Sequence, residues 1–253
     1  MLPPPLDAVD DRPFLGLVVR PGSDVADAVH AIESWGAGHG KPLVDLSRAI
    51  PDDGAATEGV EDARACSLVF ALGGDGTALR ALALAAPAGT PVLGVNFGRL
   101  GFLTEVAAEQ LEPALRLIDE RRATIEDRAA LRAELITARG LLGSYAAYND
   151  AVLSRTPGRG PAAVAVQVQG TLFARYACDA VLISTATGST AYNFAAGGPL
   201  VAPQVNAVVV TPVAPHGPFN RSLVVDAGHI SFRSERPPTS ARSGPTLSAA
   251  SDG

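Results

Sequence analysis

The sequence predicts an α/β domain with a Rossmann-like parallel sheet, then an all-β sandwich domain, then a disordered C-terminal tail. Three observations predict this order. Short apolar runs alternate with helical stretches over the first part of the chain, which implies parallel strands covered by helices. From about Phe102 the segments become mostly strand-like. Beyond Ser231 the chain reads FRSERPPTSARSGPTLSAASDG, with almost nothing to bury. The expected domains are residues 1–104, 105–231 and a tail at 232–253.

Residues 14–20 (FLGLVVR) form a buried first strand, and residues 24–35 a helix with Val25, Ala28, Val29 and Ile32 at helical spacing. A short strand at 42–46 and a polar, mobile loop at 50–61 follow. Residues 67–72 (SLVFAL) are the next strand, and an Ala/Leu-rich helix runs to about Ala86 before a strand at 91–96. Past the expected boundary, a helix over 107–121 carries Leu111, Leu115 and Ile118 along one side. The remaining strands fall at 131–136, 145–154, 162–169, 172–176, 180–184 and 207–213. A sheet-on-sheet arrangement accommodates them.

The composition limits what such a chain can do. Of 253 residues 47% are hydrophobic, enough for a core, but no run is long and apolar enough to span a membrane. Met1-Leu2-Pro3-Pro4-Pro5 has neither the basic region nor the apolar core of a secretory signal. Twenty basic against twenty-six acidic side chains argue against a broad nucleic-acid surface. Cys66 and Cys178 lack metal-type spacing and suit a reducing, cytoplasmic setting, with a single disulfide between them as the open alternative. The one lysine, Lys41, lies in Gly40-Lys41-Pro42, which does not complete a Walker-type loop. Triphosphate charge would have to be met by backbone N–H groups, arginines and a divalent cation.

Gly73-Gly74-Asp75-Gly76-Thr77 stands between the 67–72 strand and the following helix. Its glycines let the backbone approach a phosphate, and the helix start aims N–H groups and a positive dipole end at the same anion. A carboxylate inside such a loop works through a metal ion or takes a proton from an attacking hydroxyl. Its bland alternative is a βα turn with an Asp cap.

Further along, Asn96-Phe97-Gly98-Arg99-Leu100-Gly101-Phe102-Leu103 follows a parallel strand, where open α/β sheets bind ligands. Asn149 and Asp150 set an amide beside a carboxylate at the head of a strand, able to bind ribose hydroxyls or base amines or, more blandly, to form an Asx turn. Asp179 precedes an apolar strand. Residues 184–199, STATGSTAYNFAAGGP, combine hydroxyls, small residues and glycines with two aromatics. They are too polar for a core strand and too regular for a linker.

These motifs, in this order over residues 66–230, resemble the bacterial NAD kinases, which use ATP to phosphorylate NAD. GGDGT by itself also resembles lipid kinases; GSTAY with AGGP after an Asn-Asp pair is the specific part. The resemblance implies phosphorylation of the adenosine-ribose 2′-hydroxyl, with ATP or polyphosphate as donor, Mg²⁺ or another divalent cation as cofactor, and an active site between the two domains. It implies Asp75 as the base, within a loop of Gly73, Gly74, Gly76 and Thr77, and Arg80 near bound nucleotide. Asn149, Asp150 and Asp179 would contact the dinucleotide, with Thr190, Ala191, Tyr192, Asn193, Phe194 and Ala195 lining its adenine end. His216 matches a histidine near the family's pocket.

The chain departs from the family in Cys178 and Ala180 around Asp179, in Ala186, in Ala195 where many members carry Ser, and in a C-terminus that looks altered or truncated. Expected partners are small-molecule nucleotides and further copies in a homo-oligomer, with no nucleic acid and no membrane. Two rivals remain open, a nucleotide-binding protein with little or no turnover and a GGDGT kinase for lipid or sugar phosphate.

Overall fold

In a computed structural model, which describes residues 11–49, 59–98, 101–158, 160–234 and 246–252, the chain divides into two units, Met1–Asp127 and Arg128–Gly253. The first is built on β1 (Phe14–Val19), α1 (Ala26–Gly38), β2 (Leu43–Asp45), α2 (Val60–Arg64), β3 (Cys66–Gly73), α3 (Asp75–Ala85), β4 (Val92–Asn96), β5 (Val106–Ala107) and α4 (Leu111–Asp119). The strands form one parallel sheet in the order β2-β1-β3-β4-β5. Strand alternation sorts the side chains. Leu15, Leu17, Leu68, Phe70 and Leu72 meet Ala28 and Ile32 of α1 and Leu111, Leu115 and Ile118 of α4. Val18, Val69 and Ala71 meet Ala63 of α2 and Ala78, Ala81 and Leu84 of α3. Both faces are covered, as a parallel sheet requires.

The expected boundary near residue 104 is corrected by α4. Its apolar stripe needs a face to cover, and the sheet of the first unit supplies it; β5 extends that sheet beside β4. The unit therefore runs on to Asp127. The expected loop at 50–61 lies mostly outside the described residues, and Val60 and Glu61 open α2.

The second unit holds β6 (Ala130–Thr137), β7 (Gly140–Ala147), β8 (Asp150–Ser154), β9 (Ala162–Val168), β10 (Thr171–Cys178), β11 (Ala180–Thr185), α5 (Tyr192–Ala195), β12 (Ala207–Val213), β13 (Leu223–Asp226), β14 (Ile230–Ser234) and β15 (Thr246–Asp252). Two antiparallel sheets, β10-β9-β14-β15-β6-β7 and β13-β12-β11-β8, enclose one core. Leu131, Val164, Val166, Phe232 and Ile230 come from the larger sheet, and Val181, Ile183, Val208 and Val210 from the smaller. This is the expected sandwich.

Two strand assignments change. The single strand expected at 145–154 is two, because the chain leaves the larger sheet after Ala147 and joins the smaller at Asp150. The tail expected to be disordered from 232 contributes the end of β14 and all of β15. Phe232 is fully buried in β14, and β15 pairs on both sides, with β14 and with β6. A strand held by two main-chain ladders needs no bulky apolar side chains of its own, which is why composition did not show it. Residues 235–245 of that tail lie outside the described residues. Among the described residues no helix is long and apolar enough to cross a membrane.

Candidate functional site

In the first unit the site is built where β3 ends. Gly74 is extended (φ −115°, ψ −166°), and α3 starts at Asp75 with no side chain capping it. Thr77 N and Ala78 N turn back to Gly74 O at 2.9 and 3.1 Å, closing the turn. A helix end of this kind presents its first N–H groups to an anion. A Cβ on Gly74 or Gly76 would meet nothing within 4 Å, and neither has a left-handed backbone. The chain's own packing therefore does not demand glycine at either position.

Asp75 links this turn to the loop after β4. Its Oδ2 accepts from Phe102 N at 2.9 Å and its Oδ1 from Leu103 N at 3.0 Å. Gly101 is required beside it, since a Cβ there would lie 1.9 Å from Asp75 Oδ1. Two buried side chains shape that loop: Asn96 Oδ1 accepts from Gly98 N at 2.9 Å, and Thr104 Oγ1 from Gly101 N at 3.3 Å. A carboxylate has about four acceptor positions, so Asp75 keeps capacity for a hydroxyl or a cation. Arg80 lies half-buried further along α3.

Arg20 was not among the candidates. It follows β1, is exposed, and its N–H donates to Leu72 O at 3.0 Å, which sets it beside Gly73. Sequence spacing could not find it, because the proximity comes from β1–β3 pairing.

In the second unit the crossing between sheets is itself the site. Asn149 O accepts from Thr185 N at 2.9 Å and from Ser184 Oγ at 3.3 Å, and Thr185 Oγ1 donates to Tyr148 O at 2.8 Å. Thr185 Oγ1 also accepts from Gly188 N at 2.8 Å. A Cβ on Gly188 would stand 1.9 Å from Asn149 O, so only glycine lets the two backbones touch. The Asn149-Asp150 pair and the GSTAY segment are thus locked together. Burial pushes the Asp150 carboxyl above its ordinary value and raises the Tyr148 hydroxyl likewise.

Thr190 and Ala191 are half-buried, with Thr190 Oγ1 donating to Thr187 O at 3.0 Å; Tyr192, Phe194 and Ala195 are exposed. Asn193 is corrected from ligand contact to support. It is 0% exposed, and its amide is engaged with Ser189 O, Pro199 O and Thr211 Oγ1.

Asp179 is not brought to this cluster. It precedes β11 at the end opposite Ser184, which pairs with Asp150, and it accepts from Arg155 Nε at 2.7 Å. His216 is exposed and near the Asp179 end, its N–H donating to Ala177 O at 2.7 Å. Among the described residues no three His, Cys, Asp or Glu side chains converge as a metal-binding group.

Comparison with known proteins adds to this geometry. Residues 47–123 match the ATP-NAD kinase N-terminal domain, and residues 148–244 match the ATP-NAD kinase C-terminal domain. A NAD kinase of Nocardia farcinica is 42% identical over 183 residues, covering 72% of this chain and 55% of the relative. For NAD kinase 1 of Streptomyces avermitilis the identity is 38%, over 83% of this chain and 69% of the relative. For the NAD kinase of Desulforamulus reducens it is 36%, over 83% and 75%. The chain thus spans a little over half of the Nocardia protein and about two thirds to three quarters of the other two. Among solved structures, yeast NADH kinase complexed with NADH superposes with a TM-score of 0.79 at 21% identity, covering 96% of this chain and 82% of that one. An Archaeoglobus fulgidus NAD kinase in complex with ATP gives 0.67 at 24% identity, over 94% and 90%. These two likenesses establish the fold.

Proposed function

Because this chain belongs to the NAD kinase family, we propose that it transfers a phosphoryl group from ATP to the 2′-hydroxyl of the adenosine ribose of NAD, giving NADP. The observation that carries the proposal is Asp75, a carboxylate at an uncapped helix start beside two glycines with open space above them. Phosphoryl transfer depends on in-line positioning and charge neutralisation more than on covalent chemistry.

In the first unit, the turn at Gly73, Gly74, Gly76 and Thr77 receives donor phosphates on its N–H groups, and Arg20 adds positive charge from the end of β1. Asp75, held at both oxygens by Phe102 and Leu103, orients the attacking hydroxyl and takes its proton. A carboxylate is a weak base for an alcohol, so orientation supplies much of the acceleration. A divalent cation fits this donor set as an ion carried chiefly by phosphate oxygens, with Asp75 as its protein carboxylate. When bound, such an ion neutralises phosphate charge.

In the second unit, Asn149 and Asp150 hold the acceptor's polar edge, and Thr190, Ala191, Tyr192, Phe194 and Ala195 receive the adenine end. Asp179 lies roughly 17 Å along β11 from the position opposite Asp150, at about 3.3 Å per residue. A part for Asp179 in nucleotide binding is therefore separate from the Asn149–Asp150 edge, at another portion of the dinucleotide. Two free, buried thiols, Cys66 and Cys178, fit a cytoplasmic location.

The test is NADP formation by the purified chain with magnesium and either ATP or inorganic polyphosphate. Production with ATP is expected. NAD binding by calorimetry without NADP under either donor would make the chain a nucleotide-binding protein, and labelling of a lipid or sugar phosphate in place of NAD would move it to another kinase class.

A further inference from the structure

Behind α5 runs a chain of hydrogen bonds that touches no part of the surface offered to nucleotide. Asn193 Nδ2 donates to Ser189 O at 3.0 Å and to Pro199 O at 2.9 Å, while Oδ1 accepts from Thr211 Oγ1 at 2.6 Å. Thr211, 2% exposed within β12, has then given away its only proton. Ser222 Oγ, 2.9 Å from Thr211 Oγ1, is therefore the donor of their shared bond. Ser189 Oγ secures the other side, accepting from Val201 N at 2.9 Å and donating to Val201 O at 3.3 Å. Gly198 closes over the amide so tightly that a Cβ there would stand 2.0 Å from Asn193 Oδ1.

A four-residue helix cannot hold its own orientation, since one turn fixes several dihedrals for hardly any hydrogen bonds. An apolar residue at 193 would fill the space but would leave α5 free to rotate; an amide with three directed partners does not. The two neighbours of Asn193 are held outward as a result, Tyr192 at 45% and Phe194 at 58% exposure.

We propose that Thr211 and Ser222 are positioning residues for the acceptor nucleotide, acting through Asn193 on the orientation of α5. The proposal rests on the NAD kinase reading of the chain. Thr211 is buried in β12, and the pairing of β12 with β11 does not depend on its hydroxyl. Loss of the hydroxyl removes the acceptor amide's third constraint and blurs the surface that meets the adenine end.

Thr211→Val keeps the shape and removes the hydroxyl, and Thr211→Ser keeps the hydroxyl. With Thr211→Val we expect the NAD Kd by calorimetry and the NAD KM to rise about tenfold, the size of one lost buried hydrogen bond, with the ATP KM and kcat little changed. Thr211→Ser should restore NAD binding, and Ser222→Ala should show a smaller rise in the same constants. Unchanged NAD binding in Thr211→Val overturns the proposal. So does an equal loss of NAD and ATP affinity in both Thr211→Val and Ser222→Ala, which would mark the network as general scaffolding. If Thr211→Val lowers the thermal midpoint so far that it does not fold, Ser222→Ala decides by the same criteria. Failure of the unaltered chain to bind NAD overturns the kinase reading and this inference with it; binding by the unaltered chain that both variants retain overturns this inference alone.

Discussion

Asp75 carries two duties that a substitution can separate. Its oxygens tie the loop after β4 to the turn after β3, and the proposed chemistry uses the capacity left over. Asp75→Asn keeps one acceptor oxygen for that tie while removing the base and the charge. Turnover should fall roughly 10²–10⁴-fold with NAD affinity changed far less, as steady-state kinetics and calorimetry on the same preparation can show; near-normal turnover would leave Asp75 a structural tie. Asp150 offers a test of opposite kind. Burial raises its carboxyl, so the folded protein holds that proton more tightly than the unfolded chain does. Below the ordinary value of 3.8 both states are protonated and the residue costs nothing; as pH rises from there through the raised folded value, the buried charge destabilises the fold. Asp150→Asn should therefore unfold at a higher temperature than the unaltered chain at neutral pH, and the gain should vanish below the ordinary carboxylate range. A melting series against pH checks the sign. Asp75, Asn149 and Asp150 were legible as candidates because carboxylates and amides at turn positions stand out chemically. Residue identity did not separate Asn193 from its neighbours, because a buried amide and a ligand-binding amide look alike until their partners are placed.

Among the elements, α4 shows how far periodicity reaches. Leu111, Leu115 and Ile118 read as one helical face in the sequence, and that face is buried. Which sheet it covers was not legible, since a stripe specifies a helix and not its partner. Leu115 is 4% exposed against the first unit's sheet. Leu115→Ala should lower the stability of that unit by about 2–4 kcal/mol through lost burial and a residual cavity. The chain's one tryptophan, Trp35 on α1, packs edge-on to Phe70 and donates from Nε1 to Asp119 at the end of α4, so its fluorescence reports on this unit. Urea unfolding followed at Trp35 should move to lower midpoint, and an unmoved midpoint would place α4 outside the cooperative unit. The break between β7 and β8 escaped periodicity for a related reason. The run 145–154 (YAAYNDAVLS) holds no Gly or Pro to mark a break, and the hydrogen bonds from Ser184 and Thr185 to Tyr148 O and Asn149 O show where the chain changes sheet.

For the whole molecule, the two fold classes and their order were legible, because alternating strand and helix patterns give way to strands within one chain. The closing of the larger sheet was not. β15 is recruited by edges that exist only once β6 and β14 are in place, and Thr246 pairs with Ile136 across a long stretch of chain. That feature bears on synthesis as well as on the finished protein. As the polypeptide leaves the ribosome, everything the first unit needs has emerged by Asp127, whereas the hairpins β6–β7 and β9–β10 must wait with exposed edges until residue 252 is outside the exit tunnel. Domains commonly fold as units during translation, and long-range strand pairing is slow. Nascent chains stalled short of residue 246 should therefore yield a protease-resistant first unit and a second unit that is cleaved freely, with protection of the second gained only when an added C-terminal linker carries residue 252 clear of the tunnel. For the ribosome, this chain is one unit released early and another whose larger sheet stays open until β15 arrives.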